Sequence, residues 1–226
     1  MLRMVLFLNP VNSSCERSVF MIGVIDYKAG NAPSVLNALH KLNVPSELIS
    51  SPRDISTVKG IILPGVGSAG ATMDSLRKMG FLDVLEEKVL NDGVPFLGIC
   101  IGLQILFDHS EEGDTECLGW IPGNVRRFPE DKVRVPQIGW NEVKFIRNHA
   151  VISGLNESEF FYFVNSYYVT PANEEVVLAR TQYGVDFCSM ISYKNIFGAQ
   201  FHIEKSGVMG LRLLKNFSMI AEGVLC

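Results

Sequence analysis

Apolar residues along this chain change their spacing several times, and the changes mark elements. Short runs of consecutive apolar positions fall at Met21–Asp26, Pro45–Ile49, Gly60–Leu63 and Val94–Ile99. Runs of four to eight apolar residues bounded by turn residues are the mark of strands buried on both faces. Between them the spacing becomes helical. Ser34–Leu42 repeats apolar residues on one side through Val35, Leu36, Leu39 and Leu42, while Ala69–Met79, Gly80–Leu90 and Gly102–His109 read as further helices. Alternation of such strands with helices predicts an α/β fold: a mostly parallel open sheet with helices on both faces. Beyond residue 117 the pattern breaks into many short β runs, with turn signals at Gly123-Asn124, Phe128-Pro129, Pro136–Asn141, Thr170–Asn173 and Tyr183-Gly184. This second half is expected to be an antiparallel extension of the sheet. A last strand is expected over Asn195–Phe201 and a closing helix over Val208–Glu222.

Two stretches bear on compartment. Residues 1–20 begin with a short apolar run that Asn9-Pro10 ends too early for a signal peptide. They are read as a poorly ordered extension, consistent with an upstream start codon, with one domain over 21–226. The longest apolar stretch, Val94–Phe107, is too short for a bilayer and is interrupted by Pro95, Gly98, Gly102 and Gln104. With 226 residues the chain can bury a large core without staples. Its net charge of -4 offers no basic field for nucleic acid or anionic lipid. Five scattered cysteines form no C-x-x-C pair and no disulfide framework, so neither a metal nor a cofactor is expected and a reducing cytoplasm is the simplest setting.

One cysteine stands apart. In Gly98-Ile-Cys100-Ile-Gly102 a buried strand runs into a helix with Cys100 at the corner and glycine two residues to either side. This is the pattern of a nucleophile elbow, where strand and helix crowd together and small flanking residues are required. The corner puts the thiol at a helix N-terminus, where the dipole and free N–H groups favour a thiolate. A buried structural cysteine would fit the same five residues, so the rest of the chain has to decide.

A cysteine nucleophile needs a base held by a third group. Of four histidines, His40, His109 and His149 read as surface residues. His202 lies in Gly198-Ala-Gln-Phe-His202-Ile-Glu204-Lys-Ser206. As a strand, this segment would put His202 and Glu204 on one face and turn Phe201 and Ile203 into the core. Glu204 could then hold the imidazole while its other nitrogen faces the thiol. Catalytic groups in open α/β sheets gather beyond the carboxyl ends of parallel strands. The Cys100 elbow, the Pro64-Gly65-Val66-Gly67 turn and the Asp26–Asn31 loop all follow strands directly and should share that edge. A backbone N–H from the turn, with that of Ile101, would form an oxyanion hole.

These segments together resemble the class I glutamine amidotransferases, and within them the glutaminase subunits of the imidazole glycerol phosphate synthase type. The resemblance covers about residues 21–226. It rests on Ile25-Asp-Tyr-Lys-Ala-Gly-Asn31, Leu63-Pro-Gly-Val-Gly67, Gly98-Ile-Cys-Ile-Gly-Leu-Gln104, Leu118-Gly-Trp-Ile-Pro-Gly123, Val135-Pro-Gln-Ile-Gly-Trp-Asn141, Phe161-Tyr-Phe-Val-Asn-Ser-Tyr-Tyr168 and Gln200-Phe-His-Ile-Glu-Lys-Ser206, in that order. It implies a flavodoxin-like class I glutaminase fold and a Cys100–His202–Glu204 triad that hydrolyses L-glutamine. By the family pattern Gly65, Val66, Gly67, Ile101, Gln104, Ser166 and Tyr167 bind the substrate. A (β/α)8 synthase subunit would receive the ammonia in a heterodimer, with Tyr27, Asn31, Gln137, Trp140, Asn141 and Lys205 as candidate contacts.

The chain departs from the family's usual glycine at Lys28, arginine near Pro33, histidine at Asn165 and proline at Ile203. Two alternatives therefore stay open. One is a paralogous glutaminase feeding a sugar amidotransferase of surface-polysaccharide synthesis. The other is a hydrolytically inactive binding module on the same fold.

Overall fold

The structure, a computed structural model, describes residues 20–28 and 30–225. The extension expected over residues 1–20 therefore lies, but for Phe20, outside the described residues.

The expected alternation is present. Strand β1 (Ile22–Ile25) leads through α1 (Ala32–Lys41) to β2 (Ser46–Ile49). A 3-10 turn over Pro52–Thr57 returns the chain to β3 (Gly60–Gly65). Helices α2 (Ala69–Lys78) and α3 (Phe81–Glu86), the latter continued by a π turn to Asn91, lead to β4 (Phe96–Cys100). These strands lie in the order β2-β1-β3-β4, all parallel. The crossover through α1 steps one way along the sheet and that through α2 steps the other. With right-handed connections the two helices cover opposite faces. Every residue of β1, β3 and β4 is buried, as unbroken apolar runs require.

The second half is the antiparallel extension. Short strands β5 (His109–Ser110), β6 (Thr115–Glu116), β7 (Gly123–Arg127) and β10 (Tyr167–Pro171) continue the sheet beyond β12 (Val185–Tyr193). Strand β13 (Ile196–Ala199) joins the halves, pairing parallel with β4 and antiparallel with β12. A branch runs from β12 through β11 (Val177–Tyr183) to β8 (Gln137–Phe145) and β9 (Ser158–Asn165). Helix α5 (Gly207–Ala221) closes the chain and packs beside α1.

Three expectations need correction. The helix expected over Gly102–His109 is a single turn, α4 (Ile101–Gln104). The carbonyls of Ile105, Leu106 and Phe107 accept from Leu118, Ile121 and Gly119 instead of from the next helical turn, at 2.8, 3.0 and 2.9 Å. Of the turn expected over Pro136–Asn141, Gln137–Asn141 is the beginning of β8. The last strand stops at Ala199, short of Phe201. His202 follows in extended backbone, and Ile203–Lys205 form a 3-10 turn.

Candidate active site

Cys100 sits where β4 ends and α4 begins, with φ 56° and ψ -108°. A residue other than glycine is rarely held there, and such strain persists only where packing enforces it. The enforcement comes from glycine. A Cβ on Gly98 would lie 2.3 Å from the carbonyl oxygen of Gly102, and one on Gly102 would lie 2.0 Å from that of Leu63. Strand and helix therefore approach as closely as backbones can. Because α4 is one turn long, the macrodipole expected behind the thiol is small.

Two further strand ends bring their loops to the same edge. Gly65 pairs with Cys100 across β3 and β4. An added Cβ there would meet Ile101 Cβ at 2.5 Å, so Gly65 is a close-packing position. Val66 and Gly67 lie beyond it, exposed, and line a cavity of about 300 Å³. Cys100, Ile101, Gln104, Ser166, Tyr167 and His202 line the same cavity. Beneath this turn the Thr72 hydroxyl donates to the buried Tyr27 hydroxyl at 3.5 Å.

His202 and Glu204 meet by a different route from the one expected. They share no strand face. The 3-10 turn wraps Glu204 back so that Nδ1 of His202 and Oε1 of Glu204 are 3.0 Å apart, both side chains being almost fully buried. The Ser206 hydroxyl donates to the His202 carbonyl at 2.6 Å and accepts from the Tyr162 N–H at 3.0 Å, tying the turn to β9. The His202 N–H donates to Tyr162 O at 2.8 Å. Phe201 and Ile203 are buried, as expected. Burial disfavours charge on His202, but the Cys100 sulfur and the Glu204 carboxylate outweigh it and raise its pKa to about 9. Glu204 is held low despite burial, by His202 and by the Asn31 amide. An imidazolium at neutral pH beside a thiol at a strained elbow is competent as a general acid.

The residues expected at a partner interface divide. Trp140 and Lys205 are exposed, and Lys205 also lines the cavity. Tyr27 and Gln137 are buried and cannot touch a partner in this conformation. The apolar loop start packs Tyr27 into the core, and Gln137 lies on the inner face of β8 opposite Asn165. Asn31 turns inward as well: its Nδ2 donates to Glu204 Oε1 at 2.9 Å, while Ser34 donates to its Oδ1 at 2.7 Å. Asn141 donates to the Gln182 carbonyl at 3.0 Å. His149, read as a surface residue, accepts from the Val151 N–H and contacts Ser192.

The sequence reading missed Glu112, which lines the cavity and accepts from the Ala69 N–H at 2.8 Å. No local motif surrounds it. It also missed the role of Asn31, although that loop had been placed on the correct edge. Lys28 adopts φ 68°, where glycine would be comfortable, and pairs with Asp26 at 2.9 Å.

Solved structures share this architecture. A crystal structure of glutamine amidotransferase matches with a TM-score of 0.71, 21% identity and coverage of 89% of this chain and 98% of that one. PurLQS from Thermotoga maritima matches with a TM-score of 0.70 and 17% identity over 88% and 97%. These likenesses define the fold: a mostly parallel α/β sheet with helices and an antiparallel extension. The family itself follows from sequence: the glutamine amidotransferase class-I model matches residues 23–221, and the chain belongs to that family. Its relatives include the imidazole glycerol phosphate synthase subunit HisH of Dehalococcoides mccartyi, 46% identical over 204 residues, or 90% of this chain and 98% of that protein. The subunit of the same name from Geobacillus thermodenitrificans is 46% identical over 90% and 97%, and that from Leptospira interrogans 41% over 88% and 100%.

Proposed function

We propose that this chain is the glutaminase subunit of an imidazole glycerol phosphate synthase, acting in the cytoplasm within histidine biosynthesis. The single observation that carries the chemistry is the meeting of Cys100 and His202, about a hundred residues apart in sequence, on one cavity, with Glu204 holding His202 from behind. The relatives named above support the pathway.

Glutamine enters the 300 Å³ cavity. Glu112 is the one carboxylate among the lining residues and suits the substrate's α-ammonium, while Gln104 and the backbone around Ser166 and Tyr167 hold its other polar groups. The Cys100 thiolate attacks the side-chain amide carbon, and the C=O π electrons move to oxygen. The Ile101 N–H stabilises that oxyanion. A backbone N–H of the Val66–Gly67 segment, which lines the same cavity, is the second donor, and losing one such donor typically costs about 10²–10³ in rate. The intermediate collapses, the C–N bond breaks and His202 gives its proton to the departing ammonia. His202, now neutral and held by Glu204, takes a proton from water, which attacks the thioester and releases glutamate.

Ammonia then passes to a (β/α)8 synthase subunit that makes imidazole glycerol phosphate and AICAR. The outer face of β8 and β9 carries Ile138, Trp140 and Phe160, each more than half exposed, with Val208 nearby on α5. An apolar patch of this kind beside a reactive cavity suits a permanent partner.

The test is glutamate release by purified protein, with and without the histidine-pathway barrel subunit, and complementation of a histidine auxotroph. The reading expects stimulation by the barrel, growth with the wild type and none with Cys100→Ala. Activity retained in Cys100→Ala would sink the chemistry. Glutaminase activity without complementation or stimulation would move the chain to a sugar amidotransferase. Absence of thioester formation in the presence of the partner would make it an inactive binding module.

A further inference from the structure

Four amide side chains are buried beneath the nucleophile: Gln104, Gln137, Asn165 and Gln200. Two of them form a relay to the sulfur whose direction can be read from one end. The Tyr167 carbonyl can only accept a hydrogen bond. Gln104 must therefore turn its NH₂ toward it, and Nε2 lies 3.1 Å away. Asn165 turns its own NH₂ to the same carbonyl at 2.9 Å. The Gln104 NH₂ also donates to Gln200 Oε1 at 3.0 Å. That contact leaves Gln200 only one orientation, with its NH₂ directed at Cys100 Sγ, 3.6 Å distant. The Gln200 N–H is itself fixed to Ser189 O at 2.9 Å, and the residue is fully buried. At the far end, Gln104 Oε1 is left buried and without a partner in a residue that lines the cavity.

We propose that Gln200 is a positioning residue with two outputs: its amide NH₂ donates to the Cys100 sulfur, and its amide oxygen fixes the orientation of Gln104 in the cavity wall. A donor on the sulfur favours the anionic form over the thiol. An oriented Gln104 fixes that part of the cavity wall, and its buried, unpaired Oε1 carries a cost that a donor reaching it would relieve. The proposal rests on the reading of Cys100 as a glutaminase nucleophile.

Two variants separate the outputs. Gln200→Glu keeps an acceptor for Gln104 but removes the donor to sulfur and adds a like charge. Gln200→Met is a neutral side chain of similar length that removes both. Iodoacetamide labelling of the Cys100 peptide, followed by mass spectrometry across a pH series, reads the sulfur directly and needs no partner. Cys117 and Cys188 are poor competitors, because burial raises their thiols to about 11 and about 12. Both variants should label about tenfold more slowly at pH 7, with the profile displaced to higher pH. The KM for glutamine should rise about tenfold in Gln200→Met and stay within about twofold of wild type in Gln200→Glu.

A folded Gln200→Met, judged by thermal melting, that labels with the wild-type profile overturns the proposal. Should Gln200→Glu not fold, Gln200→Met alone decides it. If the wild type hydrolyses glutamine and Gln200→Met matches it in both readouts, this inference fails while the functional reading stands. If the wild type labels normally but never hydrolyses glutamine, the functional reading is what fails.

Discussion

The two halves of the sheet hold their contributions to the site by different means. In the parallel half, Cys100 is fixed by backbone contact: Gly98, Gly102 and Gly65 leave no room for a side chain where β3, β4 and α4 meet. In the antiparallel half and its exit turn, His202 and Glu204 are fixed by hydrogen bonds to Asn31, Ser206 and the Tyr162 backbone. Close packing is all or none, since an added methyl must move a backbone. Hydrogen-bonded positioning is graded, since one partner can be removed at a modest cost. The nucleophile is therefore the rigid member of the site and the acid–base pair the tunable one.

Substitutions can break or sharpen this contrast. The largest effect is expected from Gly102→Ala, whose Cβ would fall 2.0 Å from Leu63 O. It should cost about 3 kcal/mol or more in denaturant unfolding and abolish activity together with the fold. Tolerance of alanine there would refute positioning by contact. Glu204→Gln should keep the fold, losing only the part of its stability that the buried His202–Glu204 pair supplies, and lower kcat by about 10³-fold, because the imidazole loses the carboxylate that holds it. Unfolding and turnover measured on one preparation separate these two behaviours. On the outer face of β8 and β9, Trp140→Ala should weaken partner binding by about 2 kcal/mol, near thirtyfold in Kd by calorimetry, and leave partner-free glutaminase activity as it was.

A further effect is one of pH. His202 is raised from 6.5 to about 9 in the folded protein. A raised value means that the folded state binds the proton more tightly than the unfolded state does. The stabilisation is complete below pH 6.5, fades as pH rises between 6.5 and about 9, and is gone above that. Unfolding free energies at pH 6, 7.5 and 9 should fall across this window in the wild type and flatten in His202→Asn. An equal slope in both would remove His202 as its source.

Much of the parallel half was legible from sequence because local pattern and tertiary structure agree there. Unbroken apolar runs are sufficient for strands covered on both faces, and the paired glycines around Cys100 have few other uses. The antiparallel half was legible in kind but not in detail. The segment from Gln200 to Ser206 alternates as a strand would, yet its backbone bonds go to Tyr162 and into a 3-10 turn, which a single sequence does not display. The helix after the elbow reads as two turns, but the segment around Leu118–Ile121 takes its carbonyls. Asn31, Glu112 and Gln200 act at the site through contacts 173, 43 and 100 residues away in sequence. No periodicity could reveal them. Tyr27 and Gln137 lie in segments expected on a partner-facing edge, and only burial sets them apart.

The central claim is that Cys100 is a nucleophile aimed into a glutamine-binding cavity. It is tested most directly by incubating the protein with 6-diazo-5-oxo-norleucine, a glutamine-like electrophile, and locating the adduct by peptide mass spectrometry. The account predicts a single covalent adduct on Cys100, suppressed by excess glutamine and absent in Cys100→Ala. No adduct on Cys100, or labelling spread over Cys117 and Cys188 and insensitive to glutamine, would contradict it.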